Sequence, residues 1–339
     1  MLNKAVINLE TLRNNAKSVK RKLTDGVKFN AVVKADGYGH GAAKVANALY
    51  GLVDSFSVAL VEEGVTLRLS GIDKDILVLI PPRAEEIAVA VYNRFIITVD
   101  SVFMVDAIEM ECEKQNRSAR VDIKFNSGMN RLGVKSLEEL KTVLERIKGS
   151  KRVNLHGAFS HLAEPQNKNS LKTAQNKFLL ANNLVKGYNS NAVCHISASG
   201  GFLVGCKSEM VRIGLLLYGY KPFESDSVSV KPIMKVYAPI VSNFHLNKGE
   251  SALYGKCPAK KEVDLALVRY GYADGLFRKN SDGLFNNRCM DTSCYLTKGV
   301  RADYAVVMDN ADLIAKENGT ISYEVLTKCA LRAEKIYLN

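Results

Sequence analysis

No apolar run in this chain approaches the roughly 20 residues that a membrane-crossing helix needs, so a transmembrane helix is not expected. The opening segment, MLNKAVINLE, is short and interrupted by charge, unlike a secretory signal, and a cytoplasmic location is the expectation. The seven cysteines, at 112, 194, 206, 257, 289, 294 and 329, form no CxxC pair and no zinc-like set with the five histidines. Reduced thiols and no metal site follow. Basic residues outnumber acidic ones by 47 to 35, a net charge of +12. They are dispersed, with small clusters at Lys20-Arg21-Lys22 and residues 148–152, and no nucleic-acid motif accompanies them. Solvated helix faces explain such a pattern; no nucleic-acid partner is expected, and anionic small molecules remain compatible.

What is present is periodic. At 339 residues, 47% of them hydrophobic and 24% charged, the chain is that of a soluble globular protein with a large and a smaller domain. Short β-branched runs recur at residues 29–35, 55–60, 76–80, 95–99, 120–126, 154–160, 192–197 and 210–214. Amphipathic segments separate them; in residues 136–147, Leu137, Leu140, Val143, Leu144 and Ile147 share a helical face. Eight strand–helix units predict a parallel (β/α)₈ barrel within residues 1–222, with a doubly wound open sheet as runner-up. No GxGxxG follows any of these strands, so a dinucleotide-binding sheet has no support. Past Pro222 the pattern changes. Residues 231–246, 264–273 and 330–338 are strand-like, a turn falls at 247–250, and one helix is expected near 311–316. Residues 223–339 therefore form an α/β protein's second, mainly β domain, and the strand at 5–9 could pair with either part.

The most telling residue is Lys34, which ends the first β-branched run and enters a glycine-laced turn carrying Tyr38 and His40. Burying an unpaired ammonium costs several kcal/mol or more. A desolvated lysine, however, loses its proton readily and can form a Schiff base. In a (β/α)₈ barrel the active site gathers at the carboxyl ends of the strands. Those ends carry Lys124, Asn126 and Arg131 after strand 5, His161 after strand 6, Ser197 and Ser199 after strand 7, and Arg212 and Gly214 on strand 8. Singly, each has an ordinary structural reading; a lone histidine is most often a hydrogen-bonded core residue. Ser-Ala-Ser-Gly-Gly at 197–201 and Arg-Ile-Gly at 212–214 lie where such barrels bind phosphate through backbone N–H groups. A Schiff-base lysine facing a phosphate cup suggests pyridoxal 5'-phosphate.

With these motifs in view the chain resembles the alanine racemase family, fold-type III pyridoxal-phosphate enzymes. The resemblance runs through VVKADGYGHG, KFNSGMNRLG, MVRIGLLLYGY, LYGK, GYADG, CMD and GTISYEVL, in order along nearly the whole length. It implies that Lys34 carries the cofactor and serves as base on one face of the substrate Cα. Tyr254, supplied by the second subunit of a homodimer, would be the base on the other. It further implies cofactor contacts by Tyr38, His161, Ser199, Arg212, Gly214 and Tyr323, with Arg212 opposite the pyridine nitrogen. Arg131 and the Met290 backbone would meet the substrate carboxylate. Lys124, a lysine often carbamylated, would hold Arg131, with Asp291 in support. His161 and the arginines would supply the positive charge that a tyrosine base needs. The implied activity interconverts L- and D-alanine and feeds cell-wall synthesis. A racemase of another amino acid such as serine, a related decarboxylase, and a single-barrel cofactor carrier are the alternatives; the carrier would lack a second domain.

Overall fold

The computed structural model describes residues 2–254, 258–278, 288–297 and 302–339. The chain divides into two compact units, one formed by Arg13–Ala35 and Ala42–Val230, the other by Met1–Leu12, Asp36–Gly41 and Lys231–Asn339. Among the described residues no helix is long and apolar enough to cross a membrane, and no group of three or more His, Cys, Asp or Glu could hold a metal ion.

After a first short strand, β1 (Lys4–Asn8), the first unit contributes eight more. They are β2 (Lys28–Val32), β3 (Ser55–Val58), β4 (Ile76–Val78), β5 (Ile96–Val99), β6 (Ala119–Lys124), β7 (Val153–Phe159), β8 (Val193–His195) and β9 (Met210–Ile213). All eight predicted runs are strands, and they pair in parallel in the order β8-β7-β6-β5-β4-β3-β2-β9. A parallel bridge between Ala198 and Arg212, with Arg212 N–H donating to Ser197 O at 3.0 Å, joins the two ends into a nearly closed barrel. The open doubly wound sheet is thereby excluded.

The helix Leu137–Lys148 shows how the sequence specifies the outer layer. Ser136 caps it by accepting from Glu139 N–H, acidic residues occupy its first turn and basic ones its last, and Leu140, Val143, Leu144 and Ile147 are buried. Each such side chain contributes about 1.5–3 kcal/mol on burial. Leu137 shares the face but is only half-buried. The barrel interior mixes apolar and polar groups. Asn30, Ser57, Thr98, Asp122 and His195 are fully buried. Each is hydrogen-bonded, as burial demands: Ser57 Oγ donates to Asn30 Oδ1 at 2.6 Å, and Thr98 Oγ1 to Val78 O at 2.5 Å.

The second unit is a six-stranded sheet. Strands β10 (Met234–Leu246), β11 (Val263–Val268), β12 (Ser293–Leu296), β13 (Tyr304–Met308) and β14 (Glu334–Leu338) join β1 in the order β12-β11-β10-β1-β14, with β13 also on β10. The N-terminal strand runs antiparallel to β10 and parallel to β14. Two helices pack here, Ala311–Glu317 and Ser322–Lys328, where the sequence pattern predicted one. The second has seven residues and no side-chain cap, too few for a helical period to register.

Candidate active site

Strand β2 places Lys34 two residues beyond its end, half-buried. Burial lowers its pKa, the positive charges of Arg131 and Arg212 lower it further, and Glu63 opposes them. Glu63 also accepts from Ala35 N–H at 2.5 Å, fixing the backbone next to the lysine. The chain then turns the rare way. Ala35, Asp36, Gly37 and Tyr38 have φ of 51, 51, 62 and 53°, one left-handed helical turn, where an ordinary glycine turn was expected. That conformation costs about 1–2 kcal/mol per non-glycine residue. The cost is offset by local bonds. Gly41 N–H donates to Asp36 O at 2.8 Å and His40 N–H to Gly37 O at 3.0 Å. His40 Nδ1 lies 2.8 Å from Tyr38 O, and Tyr337 donates to His40 O at 3.2 Å. Burial pushes His40 down to about 4, so the ring is neutral and buttresses the turn.

Around the carboxyl ends of β6, β7 and β9 cations converge. Lys124 is buried, its Nζ 4.2 Å from the centroid of the Phe159 ring, while the Arg212 guanidinium carbon lies 5.2 Å from the same centroid. Burial, Arg212 and Arg131 hold Lys124 well below an ordinary lysine. Unmodified, it offers Arg131, itself exposed, no anion to pair with. Burial, together with Arg212, Lys124, Arg131 and Lys34, depresses His161 to about 3. This corrects one expectation: a neutral His161 supplies no positive charge, which is left to the arginines.

Arg212 is held by its own unit. It donates to Ser160 O at 2.6 Å, to His195 O at 3.2 Å and to His195 Nδ1 in a very short contact. Burial lowers it to about 10, so it stays charged near neutrality. His195 Nε2 lies 3.2 Å from Asp122 Oδ2, and Asp122 Oδ1 lies 2.7 Å from His156 Nδ1. Burial alone would raise Asp122, but hydrogen bonds with His156 and His195 outweigh it and hold the carboxyl far below its usual range. Glu63, Asp122, His156 and His195 were missed at the sequence level. Asp122 shares its strand face with Lys124, and His195 shares its face with Ser197; this inward polar alternation was the available signal.

Ser199 is buried, and its Oγ accepts from Gly214 N–H at 3.2 Å, which joins the segments that follow β8 and β9. A Cβ on Gly200 would lie 2.6 Å from Pro165, and one on Gly201 2.8 Å from Ser197 Oγ, so the close fit requires glycine.

The second unit carries the remaining candidates. The Tyr38 and Tyr323 rings lie 5.9 Å apart, and burial raises Tyr323 to about 12. Tyr254 is 65% exposed and Met290 54%. Residues 255–257, including Gly255 and Lys256 of LYGK and Cys257, lie outside the described residues. The GYADG and CMD segments are brought together: Ala273 N–H donates to Met290 O at 2.9 Å, and Tyr272 N–H to Cys289 O at 3.2 Å. A Cβ on Gly271 would lie 2.3 Å from Met290 O. Asp291 pairs with Arg332 at 2.8 Å. The six described cysteines are all free thiols.

Within the first unit, then, a half-buried lysine of lowered pKa lies among cations, with a serine–glycine cup on the last two strands. Such a donor set suits a phosphorylated aldehyde. Comparison with known proteins bears on it. Residues 7–222 match the family described as alanine racemase, N-terminal domain, and residues 233–337 its C-terminal domain. The alanine racemase of Treponema denticola is 30% identical over 375 aligned positions, spanning 99% of this chain and 98% of that protein. That of Staphylococcus saprophyticus is 32% identical, over 94% of this chain and 90% of that one. The solved alanine racemase of Clostridium difficile 630 superposes with a TM-score of 0.93 at 29% identity, covering 100% of this chain and 96% of that one.

Proposed function

The chain belongs to the alanine racemase family, and from that premise we propose that it is a pyridoxal-phosphate-dependent enzyme interconverting L- and D-alanine. The observation that carries the reading is Lys34 itself, half-buried just past the end of β2, its pKa lowered by burial and by the charges of Arg131 and Arg212. When bound, pyridoxal phosphate acts as an electron sink that acidifies the amino acid's Cα–H. Lys34 would hold it covalently, and Ser199 and Gly214 would meet its phosphate, a role that the resemblance also gives Tyr38 and Tyr323. Arg212 has donors only and stays protonated, so it would face the pyridine nitrogen without giving up a proton. Arg131 and the Met290 backbone would orient the substrate carboxylate, with Lys124, His161 and Asp291 in support.

Racemisation must take a proton from one face of a planar carbon and return one to the other, which requires two bases. Lys34 Nζ is the base on one face. Tyr254 Oη is the base on the other, contributed by the second subunit of a homodimer. The product fits a biosynthetic role in supplying D-alanine for the cell wall. The test is incubation of the cofactor-loaded protein with individual L-amino acids and chiral separation of the products. Alanine should be racemised fastest; faster turnover of serine, or release of carbon dioxide, would replace this reading.

A further inference from the structure

Behind Arg212 the barrel core holds a row of polar side chains that these roles leave unused. Arg212 on β9, His195 on β8, Asp122 on β6 and His156 on β7 come from four strands that adjoin around the barrel. Arg212, His195 and Asp122 are buried. His156 keeps 18% of its side-chain surface and lines a cavity of about 120 Å³ with Asn30 and Asp75. The row thus runs from the guanidinium assigned to the cofactor towards the opposite ends of the strands.

One arrangement of protons fits. A guanidinium can only donate, so the His195 Nδ1 that faces it must present a lone pair. The ring proton then sits on Nε2 and is donated to Asp122 Oδ2. The carboxylate can only accept; its other oxygen takes the Nδ1–H of His156. The opposite tautomer of His195 would set N–H against N–H beside Arg212 and leave an Asp122 lone pair unmet, where buried unsatisfied groups are expensive. The same carboxylate balances the charge of Arg212 across one imidazole.

We propose that Asp122 is a positioning residue for Arg212: it fixes the tautomer of His195 and so gives the guanidinium an acceptor that holds it in one orientation. The consequence for the cofactor's ring nitrogen rests on the functional reading above. The tautomer does not.

The chain has five histidines, few enough for long-range ¹H–¹⁵N spectra of the full-length, ¹⁵N-histidine-labelled protein, assigned by single His→Gln variants. His195 should be the neutral Nε2–H form at pH 7 with and without pyridoxal phosphate. In Asp122→Asn one ring must meet the amide NH2 in place of an acceptor; where that ring is His195 its Nε2 accepts, so the Nδ1–H form of His195 should appear beside the Nε2–H form. The visible band of the bound cofactor should then titrate over a shifted pH range. His156→Gln leaves the carboxylate in place and should leave His195 as Nε2–H. A wild-type His195 that is Nδ1–H or doubly protonated at pH 7 overturns the proposal. So does a folded Asp122→Asn protein with unchanged tautomer and cofactor band. Should that variant not fold, the wild type decides alone: one tautomer from pH 5 to 8 supports the proposal, and tautomer exchange overturns it. Failure of the wild type to bind cofactor or racemise would defeat the functional reading while leaving the cofactor-free tautomer result standing.

Discussion

Lys124 Nζ lies 4.2 Å from the centroid of the Phe159 ring, buried at the end of β6 under the positive charges of Arg212 and Arg131, with no carboxylate ion pair among the described residues. Deprotonated, the amine has a free lone pair. It can attack carbon dioxide, releasing one N–H proton to water and forming a carbamate whose charge the arginines would stabilise. With ¹³C-bicarbonate, a carbamate carbon signal should appear in the wild type and be absent from Lys124→Gln. Without that anion Arg131 loses a charged partner worth about 1.5–3 kcal/mol, so KM for alanine should rise by roughly tenfold or more.

Lys34 and Tyr254 should fail differently. Borohydride should trap cofactor on the wild-type chain but not on Lys34→Ala. Tyr254→Phe should lose about 10²–10⁴ of racemisation in both directions, yet still exchange the Cα hydrogen of one enantiomer with solvent, through Lys34. Equal loss of exchange and inversion in Tyr254→Phe would contradict separate bases.

The pH dependence of stability should be set by buried histidines. His40 at about 4, His161 at about 3 and His195 at about 4 all lie below the unfolded value of 6.5. Burial is the main cause in each. Between those values the unfolded chain binds more protons, so stability is present above about pH 6.5 and falls as the pH drops towards 4, by roughly 1.4 kcal/mol per pH unit per histidine. Exposed His245 is raised by Asp264 and has the opposite sign, but solvent screens it. Urea midpoints should therefore be clearly lower at pH 5 than at pH 7; equal midpoints would refute the assignment.

Gly39 should tolerate no side chain. Its φ is 82°, and a Cβ would lie 2.3 Å from Leu326 O. Gly39→Ala should cost more than about 1 kcal/mol in urea denaturation, whereas Gly26→Ala, also at positive φ but with open space around it, should cost less.

The alternation of β-branched runs with amphipathic segments made the eight barrel strands legible, because a parallel strand covered on both faces is apolar along its length. Lys34, Arg212, Ser199 and Gly214 were legible as polar residues at strand ends. The left-handed turn was not, because Ala35 and Tyr38 are not residues that announce positive φ; it is supported by the bonds that His40, Lys335 and Tyr337 make to it. Nor was the row from Arg212 to His156, whose members lie up to 90 positions apart (212 minus 122) and meet only when the sheet closes.

The most direct test of the central claim follows L-alanine in D₂O with the cofactor-loaded enzyme, reading chirality and Cα deuterium together. Enantiomers have equal free energy, so two bases on opposite faces should bring L- and D-alanine to equal amounts, with newly formed D-alanine carrying deuterium at Cα from the first turnovers. Failure to form D-alanine, or D-alanine that keeps the original hydrogen, would contradict it.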